Sequence, residues 1–121
     1  MFELNLPNDI DSLEIGVRRS SDISHQECIV GLRVPRLEPG YEFPGWPVYS
    51  KLGYPAKFVP VGKKNENHKF TTIKATAISG QVLQLTVLPK SDGQIPVSNI
   101  AVVGRTNGGH RYVWTFEVNN D

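Results

Sequence analysis

Two neighbouring side chains, His25 and Cys28, have the chemistry of metal ligands or of a nucleophile and its base. A zinc site needs about four such ligands, and the remaining histidines, His68 and His110, stand alone in turn-like segments. A catalytic Cys-His pair would need the fold to bring a distant histidine to Cys28. Cys28 instead falls on the same face as the apolar residues Val30, Leu32 and Val34 of an alternating strand pattern, which predicts a buried, unreactive thiol.

Other catalytic patterns are also missing from the sequence. The acidic residues are scattered, so spacing alone places no carboxylate pair for glycoside hydrolysis. The glycine-rich stretch 107–109 is not followed by a helical pattern, which favours a hairpin turn over a phosphate-binding loop. We therefore predict a non-enzymatic protein that holds no cofactor and no metal.

Residues 35–60 form the most distinctive stretch, with six of the nine prolines and six of the eleven aromatic residues. Proline fixes the backbone φ angle and lowers the entropy of an unbound loop. Glycine precedes an aromatic residue three times and allows sharp bends that display the rings. Tyr and Trp side chains dominate protein-binding hot spots. The candidate binding residues are Tyr41, Phe43, Trp46, Tyr49 and Tyr54.

The same rings could instead fold inward and close an open end of the sheet structure, and the sequence favours neither reading strongly. Trp46, flanked by glycine and proline, is the ring that we most expect at a contact. Phe43 and Phe58 are better placed for the core. Phe58 would be carried inward on a strand over 56–61.

A run of lysines over Lys51–Lys74 supports a second interpretation, a small β-barrel that binds single-stranded nucleic acid. Bases would stack on nearby tyrosines while lysines neutralise phosphates. The formal net charge of only +1 and the preference for lysine over arginine weigh against it. A solvated lysine face that protects edge strands explains the same run. The residues concerned are Lys51, Lys57, Lys63 and Lys64.

A carbohydrate-binding module is a third interpretation, because flat aromatic rings also stack on sugars. It requires an exposed, roughly coplanar pair among Tyr41, Trp46 and Tyr54. Of the three classes we favour a protein partner, either another copy of this chain or a component of a larger particle.

Composition and the N-terminal residues bear on domain count and location. A chain of 121 residues with 39% hydrophobic and 21% charged residues fits one globular domain over 1–121. The single cysteine excludes an intramolecular disulfide. The first residues lack a signal-peptide pattern, and no apolar run approaches ~20 residues. We expect a cytoplasmic protein without membrane contact, and packaging in a particle fits the same pattern.

Apolar and polar residues alternate along most of the chain, and no long segment has the 3.6-residue period of a helix. We therefore predict an all-β, antiparallel sandwich or barrel of about seven to eight strands. A C-terminal β-meander would begin at Lys69, and 35–60 would be one long Pro/aromatic-rich loop. The predicted strands cover 2–6, 13–17, 27–34, 56–61, 69–78, 82–88, 97–104 and 111–118.

The predicted function is that of a non-catalytic binding or assembly module. Its 35–60 segment would be offered to a protein partner or to copies of the same chain. The small size and the absence of catalytic motifs are compatible with a structural or accessory protein of a phage or other viral particle.

Overall fold

The structure is a computed structural model that describes residues 1–19, 27–37, 41–60, 70–89 and 97–118. Over these residues the chain consists mainly of strands, joined by turns and by a short 3₁₀ helix at Thr76–Ile78. Within the same residues, no helical segment reaches the length and hydrophobicity of a membrane span. The strands are β1 Phe2–Asn5, β2 Ile10–Arg19, β3 Glu27–Arg33, β4 Val48–Tyr49, β5 Tyr54–Pro60, β6 Phe70–Lys74, β7 Val82–Pro89, β8 Val97–Thr106 and β9 Arg111–Glu117.

Antiparallel pairing arranges these strands in two sheets that pack face to face. One sheet has the order β1-β7-β3-β5-β4, and the other has the order β6-β2-β8-β9. Each sheet keeps two open edges over the described residues. The predicted all-β sandwich is therefore confirmed, and the sheets do not close into the alternative barrel. The described residues contain nine strands rather than seven or eight, because the predicted long loop contains the two-residue strand β4.

The predicted C-terminal β-meander is wrong. β6 belongs to the four-stranded sheet, β7 to the five-stranded sheet and β8 again to the four-stranded one, so only β8 and β9 are consecutive neighbours. The threonine-, isoleucine- and alanine-rich stretch 69–78 was predicted as one strand, but the strand found there, β6, ends at Lys74. Ala75 and Ile78 are fully buried, because the chain turns over the end of the sandwich as it passes between the sheets.

The core lies between the inward faces of the two sheets. The alternation predicted for β7 is confirmed, because Leu83, Leu85 and Val87 are all buried. From the opposite sheet, Leu13 and Ile15 of β2 are fully buried as well. Each buried branched side chain of this size contributes about 1.5–3 kcal/mol relative to exposure in water.

The outer face of the five-stranded sheet is partly covered by Tyr54. Gly31 of β3 lies opposite Ala56 of β5 on one side and Thr86 of β7 on the other. The Tyr54 hydroxyl donates a hydrogen bond to Thr86 Oγ1 at 3.0 Å. A Cβ on Gly31 would lie 2.7 Å from Tyr54 Cε2 and 3.0 Å from Leu52 Cδ1. Glycine at position 31 therefore lets the Tyr54 and Leu52 side chains of the β4–β5 hairpin lie directly over β3.

We expect Gly31→Ala to lower the free energy of unfolding by about 1–3 kcal/mol, because the new methyl group overlaps the Tyr54 ring. Urea denaturation of Gly31→Ala, Tyr54→Ala and the double variant measures the effect. Once the ring is removed, Gly31→Ala should cost clearly less, which gives a coupling energy between the two positions. Equal costs in both backgrounds would show that the ring does not constrain position 31.

Candidate functional site

Residues 41–49, here called the aromatic strap, lie between β3 and β5 in the sequence and end with the two residues of β4. The strap begins with a tight turn in which the Trp46 N–H donates to the Phe43 carbonyl at 3.0 Å and Gly45 has a φ of 76°. This left-handed conformation is accessible mainly to glycine. The Ala56 N–H then donates to the Pro47 carbonyl at 2.9 Å. These bonds join the strap to β5 and fix which of its rings face inward.

Phe43 and Trp46 are core residues. They are only 3% and 4% exposed and pack with the buried side chains of both sheets, and Tyr41 meets Phe43 edge to face with 5.2 Å between ring centroids. The prediction for Phe43 is confirmed, whereas the expected exposure of Trp46 is wrong. The turn exposes Pro44 and Gly45 at its tip and directs the two flanking rings into the sandwich.

The Trp46 indole N–H is buried and has no acceptor among the described residues. A buried donor that loses its bond to water costs about 1–3 kcal/mol. The bulk of the ring, rather than its polar atom, is therefore what stabilises this end of the core.

Phe58 was expected in the core, and this prediction is wrong, because its side chain is 43% exposed. In the β3–β5 register, Val59 lies opposite the inward-facing Cys28, and Phe58 lies opposite Ile29 on the outer face. Since side chains alternate along a strand, a buried Val59 requires an outward Phe58. The strand predicted over 56–61 is confirmed as far as Pro60 and begins two residues earlier, at Tyr54, while residue 61 lies outside the described residues.

An apolar groove lies between the strap and the outer face of β5, and we call it the strap groove. Its volume is about 310 Å³. Tyr49 meets Phe58 edge to face there, with ring centroids 5.9 Å apart and planes at 81°. Lys57 is the one charged residue among those that line it, and Val48 is exposed on the adjoining edge strand. The groove is lined by Ile29, Gly45, Pro47, Tyr49, Ala56, Lys57 and Phe58.

The predicted binding rings are thus divided between the core and the surface. Tyr41, Tyr49 and Tyr54 are half-buried, and Tyr49 lies opposite Tyr54 in the β4–β5 pair. Phe58 and Val48, which are exposed beside the groove, were not among the predicted binding residues. The alternation of β3 places Cys28 in the core and Ile29 on the outer face, and it indicates the outward position of Phe58 only once the pairing register is known.

The lysines of the nucleic-acid interpretation do not form a described cluster. Lys51 is exposed at the β4–β5 turn and Lys57 is half-buried on β5, while Lys63 and Lys64 lie outside the described residues. The carbohydrate interpretation counted Trp46 among its exposed rings, and this ring is buried.

The Cys28 side chain is fully buried, and its thiol donates a weak hydrogen bond to the Val59 carbonyl at 3.7 Å. Burial raises the pKa of the Cys28 thiol to about 12, and this effect outweighs the lowering by hydrogen bonding to the backbone of Cys28 itself. His25 and His68 lie outside the described residues, and His110 is exposed in the β8–β9 turn. No group of three or more metal-binding side chains occurs among the described residues.

Comparisons with known proteins provide no further guide to the site. A scan of protein-family models found no match. Searches of curated proteins and of solved structures likewise found no similar protein.

We expect Trp46→Ala to lower the free energy of unfolding by about 3–5 kcal/mol, because it leaves a large cavity beneath the strap. Trp46→Phe should cost less than about 1.5 kcal/mol, since it keeps most of the bulk and removes the unpaired N–H. Thermal and urea unfolding of both variants test this. An unchanged melting temperature for Trp46→Ala would contradict the burial of the ring.

Cys28 should not react with Ellman's reagent in the folded protein at pH 8, and one thiol per chain should react after unfolding. The folded pKa of about 12 lies above the ordinary value of 9.0, so the unfolded state loses this proton first as pH rises. The thiol's contribution to stability is therefore complete below pH 9 and falls between pH 9 and 12. Cys28→Ala is the matched control, because only the wild-type chain should show this part of the alkaline loss. Rapid labelling of the folded protein would contradict the buried assignment.

Proposed function

We propose that this chain is a non-catalytic binding module whose strap groove receives an apolar side chain of a protein partner. One observation carries the proposal. Phe58 is 43% exposed and Val48 is 61% exposed beside an apolar groove. The neighbouring strap, by contrast, buries its large rings, Phe43 and Trp46, in the core. Exposed apolar side chains around a concave surface are typical of interaction sites.

The size of the groove favours a side chain over a cofactor. Pockets for drug-sized ligands enclose about 300–1,000 Å³, and the strap groove, at about 310 Å³, is at the lower limit. One aromatic or branched aliphatic residue of a partner fits such a space. The proline and glycine residues of the strap hold the groove open before binding, which lowers the entropy cost of association.

The lining favours a protein over a sugar or a nucleic acid. Tyr49 and Phe58 meet at 81°, so they do not provide the coplanar platform that stacks on a sugar. Lys57 alone supplies charge, whereas a nucleic-acid groove needs a row of cations along the backbone path. An apolar side chain of a protein partner suits this lining.

The surroundings of the groove also suit an extended partner segment. β4 is the last strand of its sheet, and its exposed Val48 lies next to the groove. A segment that lies along this edge could place an apolar anchor in the groove. A component of a larger particle, including a phage or viral assembly, is a partner of this class.

Selection of displayed random peptides on the immobilised chain provides a defined probe for this surface. We expect the selected peptides to share an aromatic or branched aliphatic residue. Phe58→Ala should weaken their binding about tenfold, a loss typical of an interface anchor. Fluorescence anisotropy with labelled peptides measures the change.

Phe70→Ala is the matched control, because Phe70 is also 43% exposed but lies on β6 of the other sheet. Peptide binding should be the same for this variant as for the wild type. Equal losses for both variants, or none for Phe58→Ala, would overturn the assignment to the strap groove. Salt-sensitive retention on single-stranded DNA without peptide binding would favour the nucleic-acid alternative.

A further inference from the structure

β9 is the last strand of the four-stranded sheet, and no described strand pairs with its outer edge. It has seven residues, Arg-Tyr-Val-Trp-Thr-Phe-Glu, nearly all with high β propensity. Val113 is 55% exposed on this strand. A long apolar edge of this kind is a template for pairing with another strand unless it is covered.

The hydrogen bonds at the two ends of the β8–β9 pair show which backbone groups face outward. The Thr106 N–H donates to the His110 carbonyl at 3.0 Å, and the Val118 N–H donates to the Ser98 carbonyl at 2.8 Å. Because bonded and non-bonded pairs alternate in an antiparallel ladder, the even-numbered residues of β9 bond to β8. The odd-numbered residues, 111 to 117, direct their N–H and C=O groups toward the free edge.

The order of side chains in β9 is complementary to its own reverse. An antiparallel second copy that overlaps all seven residues centres on Trp114. Arg111 then lies opposite Glu117 of the second copy, and Val113 lies opposite Thr115. Tyr112 and Phe116 form the remaining cross-strand pair. This register uses every outward backbone group, because it pairs odd-numbered residues with odd-numbered ones.

The charges of the edge favour a second copy over an unrelated strand. Within its own chain, Arg111 lies opposite Arg105 in the β8–β9 register. Arg105 Nε is 3.5 Å from Glu14 Oε1, so the carboxylate of Glu14, on β2, is already paired with Arg105. Like charges directly opposite each other are unfavourable in a sheet. Glu117 of a second copy would supply Arg111 with an acidic neighbour, and the two-fold symmetry supplies it twice.

We propose that two copies of this chain form a dimer in which their β9 strands pair antiparallel about a two-fold axis at Trp114. The pairing joins the two four-stranded sheets into one continuous sheet. Phe2 stacks on Phe116 with ring centroids 5.1 Å apart, and Tyr112 stacks on Trp114 with centroids 6.0 Å apart. These stacks stabilise the aromatic face of the strand that enters this contact. Aromatic and opposite-charge pairs across neighbouring strands are stabilising.

This interface is separate from the proposed partner-binding surface. The Phe2–Phe116 stack places β1 beside β9, and β4 lies at the opposite end of the five-stranded sheet from β1. The strap groove and the β9 edge are thus on opposite sides of the sandwich. The dimer proposal does not depend on what the groove binds.

Analytical ultracentrifugation of the intact chain and its variants tests the dimer. The wild type should sediment as a dimer, and Val113→Pro as a folded monomer, because proline removes an outward N–H without removing a bond to β8. Val113→Thr is the matched control and should remain dimeric, since it keeps the donor and the β propensity. Circular dichroism monitors the fold of each variant.

Charge reversal provides a second test that does not alter the backbone. Arg111→Glu and Glu117→Arg should each weaken the dimer about tenfold, and the double variant should restore it. Within one strand these positions are about 20 Å apart, so restoration can arise only between chains. A wild-type monomer at about 1 mM, or a dimer that survives in folded Val113→Pro, would overturn the proposal. Dissociation by Phe58→Ala would also overturn it, because that result places self-association at the strap groove.

Discussion

The pairing register of β3 is the constraint on which the candidate site depends. β3 lies between β5 and β7, and its Cys28, Val30 and Leu32 fill the core while Ile29 and Gly31 face outward. A shift of one residue would reverse these faces. The observed register buries Val59 and turns Phe58 outward, so the floor of the groove follows from core packing on the opposite face of the same sheet.

The strap contributes both to the core and to the wall of the groove. Its inward rings, Phe43 and Trp46, complete the core, while the adjoining Pro47 and Tyr49 form a wall of the groove. Because the wall is anchored by buried rings, its shape is set during folding rather than during binding. Such preorganisation reduces the entropy that association must overcome. Of the two alternatives that the sequence left open, the core plug describes Phe43 and Trp46. The contact surface is proposed for the outward residues beside the groove.

Sequence reasoning succeeded where one face of a strand is apolar and the other polar. The alternation in β3, β7 and β9 identified those strands, since an antiparallel sheet buries one face. Alternation does not say which sheet a strand joins, so the chain crossing at Ala75 and Ile78 was missed. It also does not give the phase of a proline-rich segment, which is set by a single turn and its pairing with β5. For this reason Trp46, which is buried, was predicted to be exposed, and Phe58, which is exposed, was predicted to be buried.

The pairing of β1 with β7 and of β2 with β6 and β8 has a consequence for how the chain folds. Phe2 lies opposite Leu85, and Leu13 lies opposite Gly104, so the partners are more than 80 positions apart. Contacts between such distant positions must close large loops before they contribute stability, and folding is correspondingly slow. On a ribosome, β3 can pair with β5 early, but β1 and β2 must wait for β7, β6 and β8 to be synthesised. Until then their apolar faces stay uncovered, and the nascent chain depends on dilution or on chaperones to avoid aggregation.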